Sequence, residues 1–307
     1  MNYGKKGVRA KQKALNSKSQ KWGRKLALTC VKIMLAAVVG IGICGVAAGI
    51  GVFRGILSST PTIRLSDVVA VGEATIVYDK EGNEIDQYVS TNSNRLSVGM
   101  DEIPDYMGKA FVAIEDERFY QHNGIDVKGI LRAGYQFIKT GGEEAQGAST
   151  ITQQLLKNTV FTDWTSEGNN KIKKIKRKIQ EQYLALEITK YYSKDEILLR
   201  YMNAINLGQN TLGVESASLR YFGKHCSDLT LSECAVIASI TQNPSKYNPI
   251  RHPEDNAVRR EKCLNKMLEL GFISQTQYDE AMADTDAVYE RIGLYDIDYQ
   301  EANATTG

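Results

Sequence analysis

The longest apolar run in the chain is "IMLAAVVGIGICGVAAGIGVF", Ile33 to Phe53, 21 residues without one polar side chain. As a helix rising about 1.5 Å per residue it is about 32 Å long, close to the hydrocarbon thickness of a bilayer. The apolar core of a secretory signal peptide is shorter, roughly 7–15 residues, so the run predicts a retained signal anchor. Beyond it, "SSTPTIRLSDVV" reads as a short extended linker. "ATIVYDKEGNEIDQYVS" then alternates apolar and polar residues on either side of a Glu-Gly-Asn turn, the pattern of a β-hairpin. From Pro104 onward the period becomes helical. Ser or Thr followed three residues later by Glu or Gln occurs at Thr150/Gln153, Ser193/Glu196, Thr230/Glu233 and Ser274/Gln277, each ahead of an apolar run. "QNPSKYNPIRHPED" is a loop between two such helices.

These patterns divide the chain into a basic tail (1–32), a transmembrane anchor (33–53), a linker with a hairpin (54–100), a mainly α domain (101–295) and a polar tail (296–307). Composition supports a folded body, with 42% hydrophobic and 24% charged residues. Charge is unevenly placed. Residues 1–32 carry ten Lys and Arg and no acid, so the remainder of a chain whose net charge is +2 carries −8. Basic residues ahead of the span place the N-terminus in the cytoplasm and everything after Arg54 outside. Cys226, Cys234 and Cys263 are an odd set beyond the span and are expected as buried thiols, with a Cys226–Cys234 bridge as the alternative.

Three stretches could carry chemistry. In "AFVAIEDERFYQHNG", a helix from Met107 would put Glu115, Phe119 and His122 on one face. A carboxylate there, among Ala110, Val112, Ala113 and Ile114, would sit in apolar surroundings that suit a general acid or base; an ordinary acidic surface is the alternative. In "GASTITQQLLKN", Gly147 and Ala148 permit close approach, and Ser149 or Thr150 can cap a helix whose first N–H groups favour an anion. Gln153, Gln154 and Lys157 follow within two turns, a set suited to a sugar or phosphate; a capped surface helix reads equally well. "KIKKIKRKIQEQ", residues 171–182, has six basic residues in its first eight positions. It is either a solvated face or, through Arg177, Lys178 and Glu181, part of a phosphate site. By the charge rule it lies outside the membrane, so it does not imply nucleic acid.

"EDERFYQHNG" resembles the first motif of the peptidoglycan glycosyltransferases, glycosyltransferase family 51, the membrane-anchored modules of class A penicillin-binding proteins and their monofunctional relatives. "GASTITQQLLKN" is similar to their second motif, "RKIQE" (Arg177–Glu181) to the third, "KDEILLRYMN" (Lys194–Asn203) to the fourth and "RREKCL" (Arg259–Leu264) to the fifth. The resemblance covers roughly residues 60–290. Leu199, Asn210, Leu212 and Cys263 depart from it, where the family commonly has Glu, Gly, Tyr and Val; neither catalytic carboxylate is touched. No S-x-x-K of a transpeptidase occurs, so the chain reads as a monofunctional enzyme or a truncated class A protein.

The resemblance implies a lysozyme-like helical glycosyltransferase domain acting on lipid II and a growing glycan strand. Glu115 would take the proton from the acceptor's 4-hydroxyl. Lys157, Arg177 and Lys178 would stabilise the departing lipid pyrophosphate. Glu181 would orient the leaving group, a cation or the donor sugar. Asp116, Phe119, His122, Ser149, Thr150, Gln153, Gln154 and Asn203 would contribute to substrate binding. No cofactor is required by the sequence, and a divalent cation such as Mg or Mn is compatible with it. Membrane lipids and proteins of cell-wall synthesis or division are the expected partners. "IDVKGILRAGYQFIK" reads either as an interfacial segment or as a buried amphipathic helix. A muramidase and a membrane-tethered scaffold are the other functional readings.

Overall fold

The computed structural model describes residues 4–15, 18–69, 72, 74–82, 84–89, 94–140, 147–293 and 300–301. They fall into two units, Met1–Thr60 and Pro61–Gly307. The first unit is helical, α1 (Lys5–Leu15) and α2 (Lys18–Ser58). Trp22–Ser58 is long and apolar enough to cross a membrane. Its Val, Leu and Ile side chains from Leu26 to Val52 are exposed. The helix is longer than the uninterrupted apolar run on both sides, because Lys, Arg, Thr and Ser residues sustain it at either end.

In the second unit β1 (Thr75–Tyr78) and β2 (Glu84–Val89) form the expected antiparallel hairpin, with Thr75 opposite Tyr88 and an irregularity after Val77. Gly82 lies at φ 86° in the turn, a conformation glycine adopts without strain. A short β3 (Gln300–Glu301) adds to β2 in parallel.

The rest is α-helical: α3 (Asp105–Glu115), α4 (Val127–Lys139), α5 (Ile151–Thr159), α6 (Lys171–Ile188), α7 (Lys194–Ala204), α8 (Val214–Phe222), α9 (Leu231–Ser239), α10 (Pro253–Glu269), α11 (Gln275–Ala283) and α12 (Thr285–Glu290). Side-chain caps form where the sequence places them. Ser193, Thr230 and Ser274 close reciprocal boxes with Glu196, Glu233 and Gln277. Thr150 caps α5 by accepting from Gln153 N–H, without the reciprocal half.

Helix α9 is buried from Ser232 to Ser239, as a helix apolar on all sides must be. Helices α3 and α10 pack against it, and α5 packs against α6 and α7. Phe111 and Tyr201 meet edge to face at 5.6 Å in this core. Cys226, Cys234 and Cys263 are buried free thiols. Burial pushes the Cys263 thiol up to about 12.

Two expectations are settled by packing. Helix α3 ends at Glu115 instead of running on to His122, because Asp116 leaves helical space (φ −155°, ψ 71°). Glu115, Phe119 and His122 therefore do not share one helical face. Helix α4 is not buried: only Gly129 is, while Val127, Leu131, Tyr135 and Ile138 are 62–81% exposed.

Candidate functional site

Glu115, the last residue of α3, gathers donors from three other segments. Its Oε1 accepts from Arg259 Nη2 at 2.8 Å, on α10, and from the Thr241 hydroxyl after α9. Its Oε2 accepts from Gln154 Nε2 at 2.9 Å, on α5. Tyr201 decides which way that amide points, by donating its hydroxyl to Gln154 Oε1 at 3.2 Å. Burial, then the nearby Glu115 charge, pushes the Tyr201 phenol well up, so it remains a donor. Each carboxylate oxygen offers two lone pairs. Oε1 is therefore filled, while Oε2 keeps one acceptor position. The apolar setting expected for Glu115 is not what surrounds it; an ion pair and two hydrogen-bond donors do.

The residue after it ties the first motif to the second. Asp116 Oδ2 accepts Ile151 N–H, at the start of α5, at 3.0 Å, and its carboxylate pairs with His122 Nε2 at 2.9 and 3.0 Å. Thr150 donates its hydroxyl to Gly124 O at 2.7 Å. Gly124 lies at φ 88° with Ala185 O only 2.3 Å from where a Cβ would stand. Glycine alone lets this loop press on α6. Asp116, His122 and Thr150 thus position α5, and with it Gln154 and Lys157.

Helix α6 divides in two. Lys171 to Lys176 are exposed, whereas Gln180 and Glu181 are buried. Arg177 lies between two carboxylates, with Nε on Glu167 Oε1 at 2.9 Å and Nη1 on Glu181 Oε1. Against the desolvation of its partial burial, these carboxylates raise the Arg177 guanidinium further. Lys178 Nζ reaches Ser149 Oγ at 2.9 Å. It also forms an ion pair with Glu181 Oε2 at 2.8 Å. Lys157 Nζ sits 3.6 Å over the Trp164 ring. Burial, and then the charges of Arg177 and Lys178, lower the Lys157 pKa.

These groups open onto a cleft of about 850 Å³. Of the residues singled out from the sequence, Glu115, Ser149, Gln154, Lys157 and Lys178 line it. Arg177 and Glu181 are not among the lining residues, but Glu181 pairs with Lys178, which is. Phe119 is fully buried with Lys194 4.3 Å over its ring, and Gln153 is buried as well. Asn203 grips the Val98 backbone, accepting from its N–H at 3.1 Å and donating to its carbonyl at 2.9 Å. Leu199, a departure from the family pattern, packs against the core.

Thr241, Gln242, Trp164, Glu167 and the role of Arg259 were not anticipated. Arg259 had a signal: it falls on the stripe of α10 that also buries Asn256, Arg260, Cys263 and Met267. A buried guanidinium demands a partner. Among the described residues, no group of three or more His, Cys, Asp or Glu side chains is arranged to hold a metal ion.

Residues 81–268, more than half of the chain, match the family described as Transglycosylase. The chain belongs to the transglycosylase family. The chain is 40% identical over 273 residues to penicillin-binding protein 1A of Clostridium botulinum (strain Langeland), covering 86% of the chain and 32% of that protein. Penicillin-binding protein 1A of Clostridium perfringens (strain 13) is 41% identical over 81% of the chain and 37% of its own length. For that of Escherichia coli K12 the values are 37%, 83% and 29%. The chain thus spans about a third of the length of these relatives. A solved structure, penicillin-binding protein 1A from Haemophilus influenzae, aligns over 70% of the chain and 21% of its own with 23% identity and a TM-score of 0.36.

Proposed function

We propose that this chain is a peptidoglycan glycosyltransferase that polymerises lipid II into glycan strands, working at the outer face of a cell membrane. One observation carries the reading: Glu115, the one carboxylate lining the cleft among the described residues, shares it with Lys157 and Lys178. A base and a cationic end in one cleft suit displacement of a phosphorylated leaving group.

The acceptor's 4-hydroxyl gives its proton to Glu115 Oε2, the oxygen with a free lone pair. Its oxygen forms the new bond to C1 of the donor sugar. The bond from C1 to the lipid pyrophosphate breaks, and its electron pair leaves with the pyrophosphate. Attack from the opposite face inverts the anomeric centre in one step. Lys157 and Lys178 meet the developing negative charge, and Ser149 donates beside them. Glu181, itself paired with Arg177, holds Lys178 in place. Glu167 and Glu181 are engaged by Arg177 and Lys178.

Both substrates are lipid-linked, which gives the apolar α2 and the exposed apolar face of α4 a common purpose. Lys128, Arg132 and Lys139 flank that face, as suits an interface with anionic headgroups. The charge ahead of α2 favours a cytoplasmic N-terminus.

The test is the 307-residue chain in detergent with labelled lipid II, beside Glu115→Gln. Long glycan product that falls by about 100-fold or more in the variant is the expected result. Glycan shortening, or polymerisation that survives the substitution, contradicts the reading.

A further inference from the structure

A second cavity, of about 620 Å³, opens between the loop that leads into α10 and helix α12. Pro249, Ile250, Pro253 and Ile292 give it an apolar lining. Two hydroxyls in that lining are satisfied within the protein. Tyr289 donates to Asn256 Oδ1 and Thr285 donates to Met282 O, both at 2.6 Å. Three exposed carboxylates, Glu254, Asp286 and Glu290, complete the wall, and no Lys, Arg or His joins them. None of the three side chains forms an ion pair or hydrogen bond among the described residues. Arg291, next to Glu290, is engaged by Asp284 at 2.6 Å and Glu233 at 3.3 Å.

Helix stability accounts for only part of this charge. Glu254 and Asp286 stand in the first turns of α10 and α12, where the helix dipole favours an acid. Glu290 ends α12, where the dipole disfavours one. An apolar cavity rimmed by unpaired negative charge is complementary to apolar side chains carried among lysines.

The same chain presents such a segment. Lys171, Lys173, Lys174 and Lys176 open α6 and are exposed, and their side chains make no ion pair or hydrogen bond among the described residues. Between them Ile172 and Ile175, three residues apart on one face, are 80% and 59% exposed. That face lies opposite the side of α6 that buries Glu181, Leu184 and Ile188. The other segments of the chain match the cavity less well. Residues 293–307 carry Asp296, Asp298 and Glu301 and no Lys, Arg or His, so they share its sign. The basic tail, 1–32, falls on the other side of the membrane by the charge rule.

We infer that the start of α6 in one copy of this chain docks into the α10–α12 cavity of a second copy. Ile172 and Ile175 meet the apolar lining, and the lysines around them meet Glu254, Asp286 and Glu290. The two patches differ, so the contact is heterologous: each copy offers its helix and can receive another's. The loop that gives Pro249, Ile250 and Pro253 to the cavity gives Asn248, Arg251 and His252 to the cleft. A docked neighbour therefore rests on a segment shared with the candidate site.

The experiment labels two populations of the 307-residue chain at the N-terminus with donor and acceptor dyes and follows energy transfer between them in detergent. Wild type is expected to associate at low salt and to dissociate as salt is raised. A cavity variant, Glu254→Lys with Glu290→Lys, and a helix variant, Lys173→Glu with Lys176→Glu, should each self-associate about tenfold more weakly. Mixing the two should restore association, since each then finds an opposite charge on the other. Ile172→Ser with Ile175→Ser should weaken association without any change in charge. All of these positions are exposed, so melting temperatures should stay near that of wild type. A wild type that does not associate, or association that survives both charge reversals, overturns the inference; the second result would assign the contact to another surface. Loss in the cavity variant alone would give the cavity to a different basic partner and equally overturns it, as does a mixture that fails to restore energy transfer.

Discussion

Arg259 is the residue that makes Glu115 usable. Its guanidinium fills one carboxylate oxygen and leaves the other facing the cleft, while its Nε donates to Ser239 O at 3.0 Å. Arg259→Ala strands a nearly buried carboxylate, so we expect a loss of about 3 kcal/mol in thermal unfolding. Turnover should fall about 100-fold in the labelled lipid II assay, since the base loses its orientation. Lys157 sets a pH limit of a different kind. Burial and the neighbouring cations lower its pKa below the ordinary 10.5. The unfolded chain therefore binds more protons than the folded one between the lowered value and 10.5, and stability contributed by this group rises with pH across that window. Substrate affinity moves the opposite way, because the cation is lost as pH climbs through the lowered value. KM for lipid II should rise on the alkaline side at a pH below that of an ordinary lysine. Lys157→Arg should shift that limb upward; a KM independent of pH up to 10.5 would contradict it.

At the scale of elements, α4 and α6 show how differently two amphipathic sequences can end up. The lysines that open α6 remain in solvent, and only its second and third turns enter the site. On α4 the solvent side is apolar, with Val127, Leu131, Tyr135 and Ile138 spaced to share a face. If that face meets the lipid surface, Leu131→Glu with Ile138→Glu should cut lipid II turnover in reconstituted bilayers by about tenfold. The same pair should leave turnover in detergent micelles nearly unchanged. Equal loss in both settings would assign the face to folding instead.

Across the whole of the second unit, one buried guanidinium joins the C-terminal helices. Arg260, fully buried on α10, donates to Ser232 Oγ at 2.7 Å on α9, to Ala281 O on α11 and to Thr285 Oγ1 at 3.0 Å on α12. Its partners are neutral, and burial lowers its pKa. Arg260→Ala leaves those acceptors and a cavity behind, which should cost about 3–5 kcal/mol. The expected readout is a melting temperature lower by about 10 °C, with the cleft residues unaltered in sequence. A shift under 2 °C would show that α11 and α12 hold by their apolar contacts alone.

The apolar span, the hairpin, the capped helices and the order of the motifs were legible because each rests on local rules: period, turn chemistry, caps and short-range spacing. Glu115, Lys157 and Lys178 could be singled out for the same reason, as residue types at recognisable spacing. What spacing could not supply was who faces whom. Asp116 and His122 turned out to brace the start of α5, and Asn203 to grip Val98, because buried polar groups must find partners and the nearest ones came from distant segments. Arg259, Thr241, Tyr201 and Gln154 converge on Glu115 from positions 39 to 144 residues away. Local patterns determine which elements form. Only long-range packing decides which lone pairs and N–H groups remain free for a substrate.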